Sequence, residues 1–302
     1  MYIFVEILEI MSRYINPFTD FGFKKLFGSE PNKDLLIDFL NEVALPTERK
    51  IINLQYKPTE HLPKTELERK AIFDLYCVGS NNERFIVEMQ KAEQDYFKDR
   101  SVYYASFPIQ EQAQRGKNPE LGNKSWDYKL SEIYTVGILD FVFDETASNQ
   151  KVRSEVKLKD QDCKVFYDKL TFIYLEMPNF TKTEEELETN YDKWLYVLKH
   201  LPEMEKRPQK LQERIFKRLF EVAEIAKFTT IEREEYEESM KIYRDLRNIM
   251  DSKYRKGKIE AKIEVVFESW QEGLTIELTA KITKLPLEEV EKLFEKFMKE
   301  KI

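Results

Sequence analysis

The sequence is poor in the residues on which many well-known enzyme sites depend. It has two cysteines, Cys77 and Cys163, which lie far apart and have no metal-ligand partner nearby. This excludes a disulfide framework and a cysteine-based zinc site, and it suits a reducing compartment. The two histidines, His61 and His200, disfavour a Ser-His or Cys-His nucleophilic site, because the base of such a site needs a third group to hold it.

Glycine and long apolar runs are scarce as well. The eight glycines form neither a GxxxxGK[ST] nor a GxGxxG loop, so ATP and NAD are not expected as cofactors. A content of 35% charged residues excludes a membrane protein. The first ten residues are apolar, but Glu6 and Glu9 interrupt them and no cleavage site follows, so we predict a cytoplasmic protein with an N-terminal extension at 1–13.

The chain also lacks an excess of positive charge. Its net charge is −7, whereas proteins that bind nucleic acid usually have a basic surface. A local basic face is still compatible with this net charge. In addition, the local charge of a carboxylate site changes from negative to positive once the site binds a divalent metal ion. At 302 residues the chain is long enough for one catalytic domain with an appendage.

Hydrophobic periodicity predicts an α/β fold, with a mixed central sheet flanked by helices and a helical C-terminal extension. Two short helices lie within 14–45, three strands within 50–90, and a helix containing Pro108 follows. The apolar run at 132–143 predicts a buried central strand, and two more strands follow it. The last two strands before residue 90 form a hairpin around the turn residues of 79–82.

The predicted domains follow these shifts in composition. An α/β catalytic domain covers 14–180, a helical extension covers 181–256, and a C-terminal helical module covers 257–302. The last module has two short helices around Leu285 and Pro286. This pattern is typical either of a helix-turn-helix or of a dimerisation module. It has no obvious basic recognition helix, so we favour dimerisation and predict a homodimer.

Polar residues of two adjacent predicted strands provide a candidate site. Asp74 lies between apolar residues of the predicted strand 71–79, where a charge is costly unless it is paired or bound to metal. Glu88 and Gln90 are two residues apart, so both side chains lie on one face of the next strand. Two carboxylates with the main-chain carbonyl of Met89 would suit Mg²⁺ or Mn²⁺. The alternative is that both carboxylates face solvent on an amphipathic sheet.

An ordered series of segments resembles a known family over most of residues 14–145. The segments are NPFTDFGFKKLFG, NKDLLIDFLN, RKAIFDLY, FIVEMQ, YFKDRSVYY and the ILDF strand. The series is similar to the recombination-promoting nuclease, or transposase, family of the PD-(D/E)XK nuclease superfamily. The resemblance implies a restriction-endonuclease-like core and metal-dependent endonucleolytic hydrolysis of DNA with 5′-phosphate products. It also implies Mg²⁺, with Mn²⁺ or Ca²⁺ as alternatives, and a role in recombination, mobile DNA or defence.

In that resemblance Asp74 and Glu88 match the metal-binding acids, and Gln90 takes the position of the superfamily's lysine. The resemblance implies that glutamine is usual at this position in the family itself. Glutamine cannot carry a proton or a positive charge, so Gln90 orients water and contacts phosphate only by hydrogen bonds. Lys91 is not expected to replace the lysine, because one step along a strand turns its side chain to the opposite face. We therefore predict an activity that relies on the metal.

The resemblance also singles out residues of the first helix. Asp20 matches an acid that reaches a metal-bound water, although an acid at this place commonly caps a helix. Lys24 and Lys25, one turn further on, are candidate contacts to DNA phosphate or else solvated lysines.

Further candidate DNA contacts lie on the helix that follows the predicted hairpin. Arg100, Tyr103 and Tyr104 match a run of the family and are expected to line the DNA groove, unless the tyrosines belong to the core. Gln112 is a weaker candidate for the same role.

Two other functions remain open at this point. The replacement of the lysine by Gln90 is also compatible with a catalytically inactive nuclease-fold protein that binds DNA or supports assembly. The long charged C-terminal helices are compatible with a structural protein that acts through helical interactions. The basic residues between Lys253 and Lys262 either contact phosphates or form a solvated helix face.

Overall fold

The computed structural model of the protein describes residues 12–45, 50–61, 71–115, 128–143 and 151–300. The helices in these ranges are α1 (Asp20–Phe27), α2 (Lys33–Val43), α3 (Phe97–Arg115), α4 (Asn190–His200), α5 (Arg214–Ala223), α6 (Thr230–Gln271), α7 (Ile276–Thr283) and α8 (Leu287–Glu300). The strands are β1 (Leu54–Tyr56), β2 (Glu60–His61), β3 (Ala71–Ile72), β4 (Leu75–Gly79), β5 (Arg84–Gln90), β6 (Ile133–Leu139), β7 (Arg153–Lys159) and β8 (Val165–Glu176).

Six of these strands form one mixed sheet, in the order β1-β4-β5-β6-β8-β7. The central strands β5, β6 and β8 are parallel, and the outer pairings are antiparallel. Strand β6 is buried along its whole length, which is typical of a central strand covered on both faces. Helix α3 connects the parallel strands β5 and β6, as such a crossover requires. The predicted fold class, a mixed sheet flanked by helices, is confirmed.

The antiparallel hairpin of β4 and β5 is the part of the sheet that carries the candidate site. Val78 pairs with Arg84 next to the turn, and the Asn82 N–H donates to the Gly79 carbonyl at 3.0 Å. Asn82 has a φ of 69°, a left-handed conformation that asparagine tolerates better than most residues. The turn residues predicted from the sequence therefore form the expected hairpin.

The two faces of the sheet pack against different helices. On one face, β5 contributes Phe85, Val87 and Met89 to the larger core, which α1, α2, α4 and α5 also form. On the other face, Ile86 lies in a smaller aromatic cluster with residues of α3. Helix α3 therefore lies over the face of β5 to which Glu88 and Gln90 belong.

The helices α4 and α5 that follow residue 180 belong to the same compact unit as the sheet. Trp194 of α4 and Phe216 of α5 are fully buried in the same core as the sheet. The Trp194 indole N–H also donates to Asp38 of α2 at 2.7 Å. These amphipathic helices bury their apolar sides against the sheet domain and so complete it. The chain divides within α6, between Tyr243 and Arg244.

The N-terminal extension predicted at 1–13 lies mostly outside the described residues. Its last two residues belong to the fold. The Ser12 hydroxyl donates to the Pro202 carbonyl at 2.8 Å, and Arg13 forms an ion pair with Glu224 at 2.7 Å.

The second unit, from Arg244 onward, has a small core of its own. Val266 of α6 packs with Val290 and Phe294 of α8. Helices α7 and α8 are the two short helices predicted around Leu285 and Pro286. In the ranges that the structure describes, no helix is long and apolar enough to cross a membrane.

Candidate active site

Strand β5 places its polar and apolar side chains on opposite faces near its C-terminal end. Val87 and Met89 are buried in the larger core, so Glu88 and Gln90 lie on the face covered by α3. Glu88 is only 6% exposed. The Gln90 side-chain amide donates to Glu88 Oε2 at 3.2 Å, so the two polar side chains are in contact.

Asp74 lies at a bend and not within a strand. The segment 71–79, predicted as one strand, is divided into β3 and β4, with Phe73 and Asp74 between them. Phe73 is buried in the aromatic cluster beneath α3. The bend lets Asp74 Oδ2 accept a hydrogen bond from the Met89 N–H on β5 at 2.7 Å.

Asp74 and Glu88 form a pair of carboxylates, in which Glu88 is buried and Asp74 is half-buried. The Asp74 N–H donates to Glu88 Oε1 at 3.3 Å. Burial raises the pKa of Glu88 to about 8, and the nearby charge of Asp74 adds to the rise. Burial raises the pKa of Asp74 as well, although the hydrogen bond from Met89 opposes this. Two charges in this position repel each other, so the pair favours a shared proton or a bound cation.

Arg100 of α3 holds the side chain of Gln90. Its guanidinium donates to Gln90 Oε1 at 2.5 Å and also to the side chain of Gln94. The Gln90 amide thus accepts from Arg100 and donates to Glu88. The resemblance implies a DNA contact for Arg100, whereas the structure shows it as the partner that orients Gln90.

Lys91 follows the last residue of β5 directly. Strand β5 ends at Gln90, so alternation no longer determines the direction of the next side chain. Burial lowers the pKa of Lys91, while the charges of Asp20 and Asp74 raise it. The Lys91 ammonium therefore acts electrostatically on Asp74. That it lies on the strand face opposite Glu88 stays a prediction.

The first turn of α1 is close to the same pair. The charge of Asp20 raises the pKa of Asp74, and that of Lys24 lowers it. Lys24 and Asp20 form an exposed ion pair at 2.9 Å. The helix cap is Thr19, whose hydroxyl accepts the Gly22 N–H at 2.9 Å. The capping role considered for Asp20 therefore belongs to Thr19.

The structure does not bring two of the predicted DNA contacts to the carboxylate pair. Lys25 forms an ion pair with Glu232 and lies 5.1 Å from the ring centroid of Phe228. Gln112 is buried, and its side-chain oxygen accepts the Ser131 N–H at 2.7 Å. Ser131 precedes β6 at the end of the sheet opposite the carboxylate pair. Both side chains therefore have structural partners.

The two tyrosines of α3 differ in their surroundings. Tyr104 is half-buried, and its ring lies edge-on to Phe73 with a centroid distance of 5.0 Å. Burial raises the pKa of Tyr104, and the charge of Glu88 adds to the rise, so Tyr104 lies near the pair. Tyr103 is 41% exposed and contacts Phe107.

Gly137 is a site feature that the sequence reasoning missed. It lies directly beside Glu88 in the parallel register of β5 and β6, and it pairs with Tyr174 on its other side. A Cβ at this position would lie 3.0 Å from the Tyr174 ring. The signal was an isolated glycine in an otherwise β-branched and apolar strand, which indicates close approach of a neighbour.

The donor set fits a hard divalent cation. The protein groups are the carboxylates of Asp74 and Glu88, with the Met89 carbonyl as the predicted main-chain donor. Among the described residues, no three His, Cys, Asp or Glu side chains come together in a metal-binding cluster. Mg²⁺ commonly binds through one or two carboxylates and keeps water or substrate phosphate as its other ligands.

The comparisons with known proteins agree with this geometry. No curated protein and no solved structure matches the chain at a significant level. A family model described as PD-(D/E)XK nuclease family transposase matches residues 17–253. The match includes the carboxylate pair, α3 and the parallel strands of the sheet. This chain belongs to the PD-(D/E)XK nuclease family transposases.

Proposed function

We propose that the protein is a metal-dependent deoxyribonuclease that hydrolyses phosphodiester bonds at the Asp74–Glu88 pair. The observation that supports this most strongly is the approach of the half-buried Asp74 carboxylate to the buried Glu88 carboxylate at the end of β5. Burial raises the pKa of both groups. A structural role does not require two carboxylates in one place, because the pair is costly unless it shares a proton or binds a cation.

Asp74 and Glu88 would hold a divalent ion such as Mg²⁺ or Mn²⁺, with the Met89 carbonyl as a further donor. When bound, the ion polarises the scissile phosphate and lowers the pKa of a water ligand. The main-chain N–H of Met89 fixes the orientation of Asp74. Gln90, held by Arg100, offers an amide that orients water or phosphate by hydrogen bonds but takes up no proton.

The positive charge that Gln90 cannot supply has a candidate source in Lys91. Its ammonium acts electrostatically on Asp74, which supports a role in attracting the phosphate or stabilising the charge that develops on it. Asp20, whose charge also acts on Asp74, is the candidate acid on the side of α1. Tyr104 lines the site from α3, and Tyr103 and Lys24 are exposed candidates for contacts with DNA.

The family description supports a biological setting in recombination or the movement of DNA, and we propose that the substrate is DNA for this reason. A homodimer and a cytoplasmic location remain predictions.

The direct test is cleavage of supercoiled plasmid with Mg²⁺, Mn²⁺ or Ca²⁺, compared with a chelator. We expect cleavage by the wild type with Mg²⁺ or Mn²⁺ and loss of about 10³-fold in rate for Asp74→Asn, since a metal ligand contributes several kcal/mol. Asp168→Ala, which removes an exposed acid of β8, is the matched control. Nicks that a DNA ligase reseals would confirm 5′-phosphate products. A wild type that is inert with every metal, or Asp74→Asn at full rate, contradicts the proposal.

A second candidate is a catalytically inactive DNA-binding protein with the nuclease fold. The observation that favours it is Gln90, an uncharged residue where the superfamily has lysine. It predicts DNA binding that survives both a chelator and Asp74→Asn, without cleavage in any metal.

A further inference from the structure

Helix α6 carries a line of basic residues in the second unit of the chain. We name it the basic stripe, and it consists of Arg244, Arg247, Arg255, Lys258 and Lys262. Steps of three, four or eight residues bring side chains back to the same side of an α-helix. The stripe therefore follows one face of α6 for about 27 Å, at about 1.5 Å per residue. Asp251 is the one acidic residue on this face.

The middle of the basic stripe is open to solvent. Residues 253–261 are exposed at every position, so no side of α6 is packed against the described protein there. Within the described ranges, Arg255 and Lys258 form no ion pair with a carboxylate. Lys258 lies instead over the ring of Tyr254, at 5.9 Å from its centroid.

This arrangement has a cost for the free protein. Like charges three or four residues apart destabilise a helix, and Arg255, Lys258 and Lys262 form such a series. Gly257 in the same stretch also weakens the helix, and a Cβ there would meet no atom within 4 Å, so packing does not require the glycine. A partner with closely spaced negative charges would relieve the repulsion along the stripe.

We propose that the basic stripe is a second, non-catalytic nucleic-acid-binding surface that contacts the sugar–phosphate backbone. This inference rests on the proposed function, in which DNA is the substrate of the first unit. A line of cations several residues long matches a polyanion with regularly spaced phosphates, and such contacts bind without reading the base sequence.

The composition of the exposed stretch disfavours an anionic membrane as the partner. A helix that lies on a membrane needs a continuous apolar face beside its basic one. Opposite the stripe, the exposed stretch carries Lys253, Lys256 and Glu260. Tyr254 and Ile259 are its large apolar residues, and they do not form a face.

The test compares two double variants of the full-length chain. Arg255→Gln with Lys258→Gln removes two charges from the stripe. Lys253→Gln with Lys256→Gln removes the same charge from the opposite side of the same exposed helical stretch. Binding of a fluorescent DNA duplex is measured by anisotropy, in chelator and over a series of NaCl concentrations, so that cleavage plays no part.

We expect the stripe variant to bind about tenfold more weakly and to reduce the slope of log K against log[salt] by about 2, which corresponds to two lost phosphate contacts. The control variant should keep the wild-type slope, and circular dichroism should show unchanged helix content for both. Equal losses in both variants, or no loss in either, overturn the proposal. So does stripe-dependent binding to phosphatidylserine vesicles without any change in DNA binding.

Plasmid cleavage by the same proteins at low salt separates this inference from the proposed function. If the wild type binds DNA through the basic stripe but does not cleave it, the inference about the stripe is supported and the proposed nuclease activity is contradicted. If the stripe variant cleaves DNA and binds it with an unchanged salt slope, the inference about the stripe is contradicted and the proposed nuclease activity is supported.

Discussion

Glu83 and Glu88 lie near opposite ends of the same strand and are equally buried, at 5% and 6% exposure, yet their surroundings differ. Glu83 accepts two hydrogen bonds of 2.9 Å from the main chain and the side chain of Asn81. Glu88 accepts longer bonds, of 3.3 and 3.2 Å, from Asp74 and Gln90, and a second carboxylate lies beside it. Burial of an acid is therefore a weak indication of a site, whereas a second acid in the same place is a strong one.

The sharpest test of this difference is the same substitution at both glutamates. Glu88→Gln should lower the rate of plasmid cleavage by about 10³-fold, because it removes a carboxylate from the cation site. Glu83→Gln should stay within about threefold of the wild type, since an amide oxygen can still accept from Asn81. Equal losses in the two variants would contradict the assignment of different roles.

The pH dependence of stability offers a test that does not need activity. The pKa of Glu88 rises from 4.5 to about 8 on folding, so the folded state holds its proton more tightly than the unfolded state. This stabilisation is complete below about pH 4.5 and is lost as the pH rises through about 8. In chelator, we expect the free energy of unfolding of the wild type to fall by a few kcal/mol over this range, at 1.36 kcal/mol per unit of pKa shift.

Glu88→Gln should remove most of that fall, and Glu83→Gln should keep it. Chemical denaturation between these pH values measures the difference. At about pH 8, added Mg²⁺ should restore the free energy of unfolding of the wild type but should not change that of Glu88→Gln. A flat profile for the wild type in chelator would contradict the strained carboxylate pair.

A smaller effect is expected where Arg100 supports the site through Gln90. Arg100→Ala should lower the rate and the apparent metal affinity by about tenfold to hundredfold, as is usual for residues that orient metal-binding groups. Gln94→Ala removes the second side-chain amide that accepts a hydrogen bond from Arg100 and should have little effect. Metal titrations of the cleavage rate distinguish the two, and an Arg100→Ala variant with normal metal affinity would argue against an orienting role.

The smallest expected effect concerns the space beside Glu88. Gly137→Ala places a methyl group 3.0 Å from the Tyr174 ring, and overpacking of this kind costs about 1–3 kcal/mol. Gly257→Ala meets nothing within 4 Å and should stabilise α6 by about 1 kcal/mol. Chemical denaturation of both variants shows whether the two substitutions change the free energy of unfolding in opposite directions. If Gly137→Ala stabilised the protein, the Tyr174 ring would be able to move aside at little cost.

The sequence predicted the parts of the site that depend on local pattern. The period of two along β5 predicted that Glu88 and Gln90 share a face, and the turn residues before Arg84 predicted the hairpin. Both follow from interactions between residues close together in the chain, which a pattern can represent.

The parts that depend on distant packing were not predictable in this way. At the bend of Phe73 and Asp74 the Phe73 ring packs against residues of α3, and no local pattern contains that contact. The amphipathic pattern of α4 showed an apolar side but not the surface that covers it.

Strand β5 also restricts how this site can diverge among related sequences. Its alternate residues form the core and the carboxylate site, so insertion or deletion of one residue before Glu88 would expose Val87 and Met89 and bury the acids in the apolar core. Length changes inside the strand are therefore excluded, and they are tolerated only in the loops. Divergence at this strand must proceed by replacing one side chain with another at a fixed position.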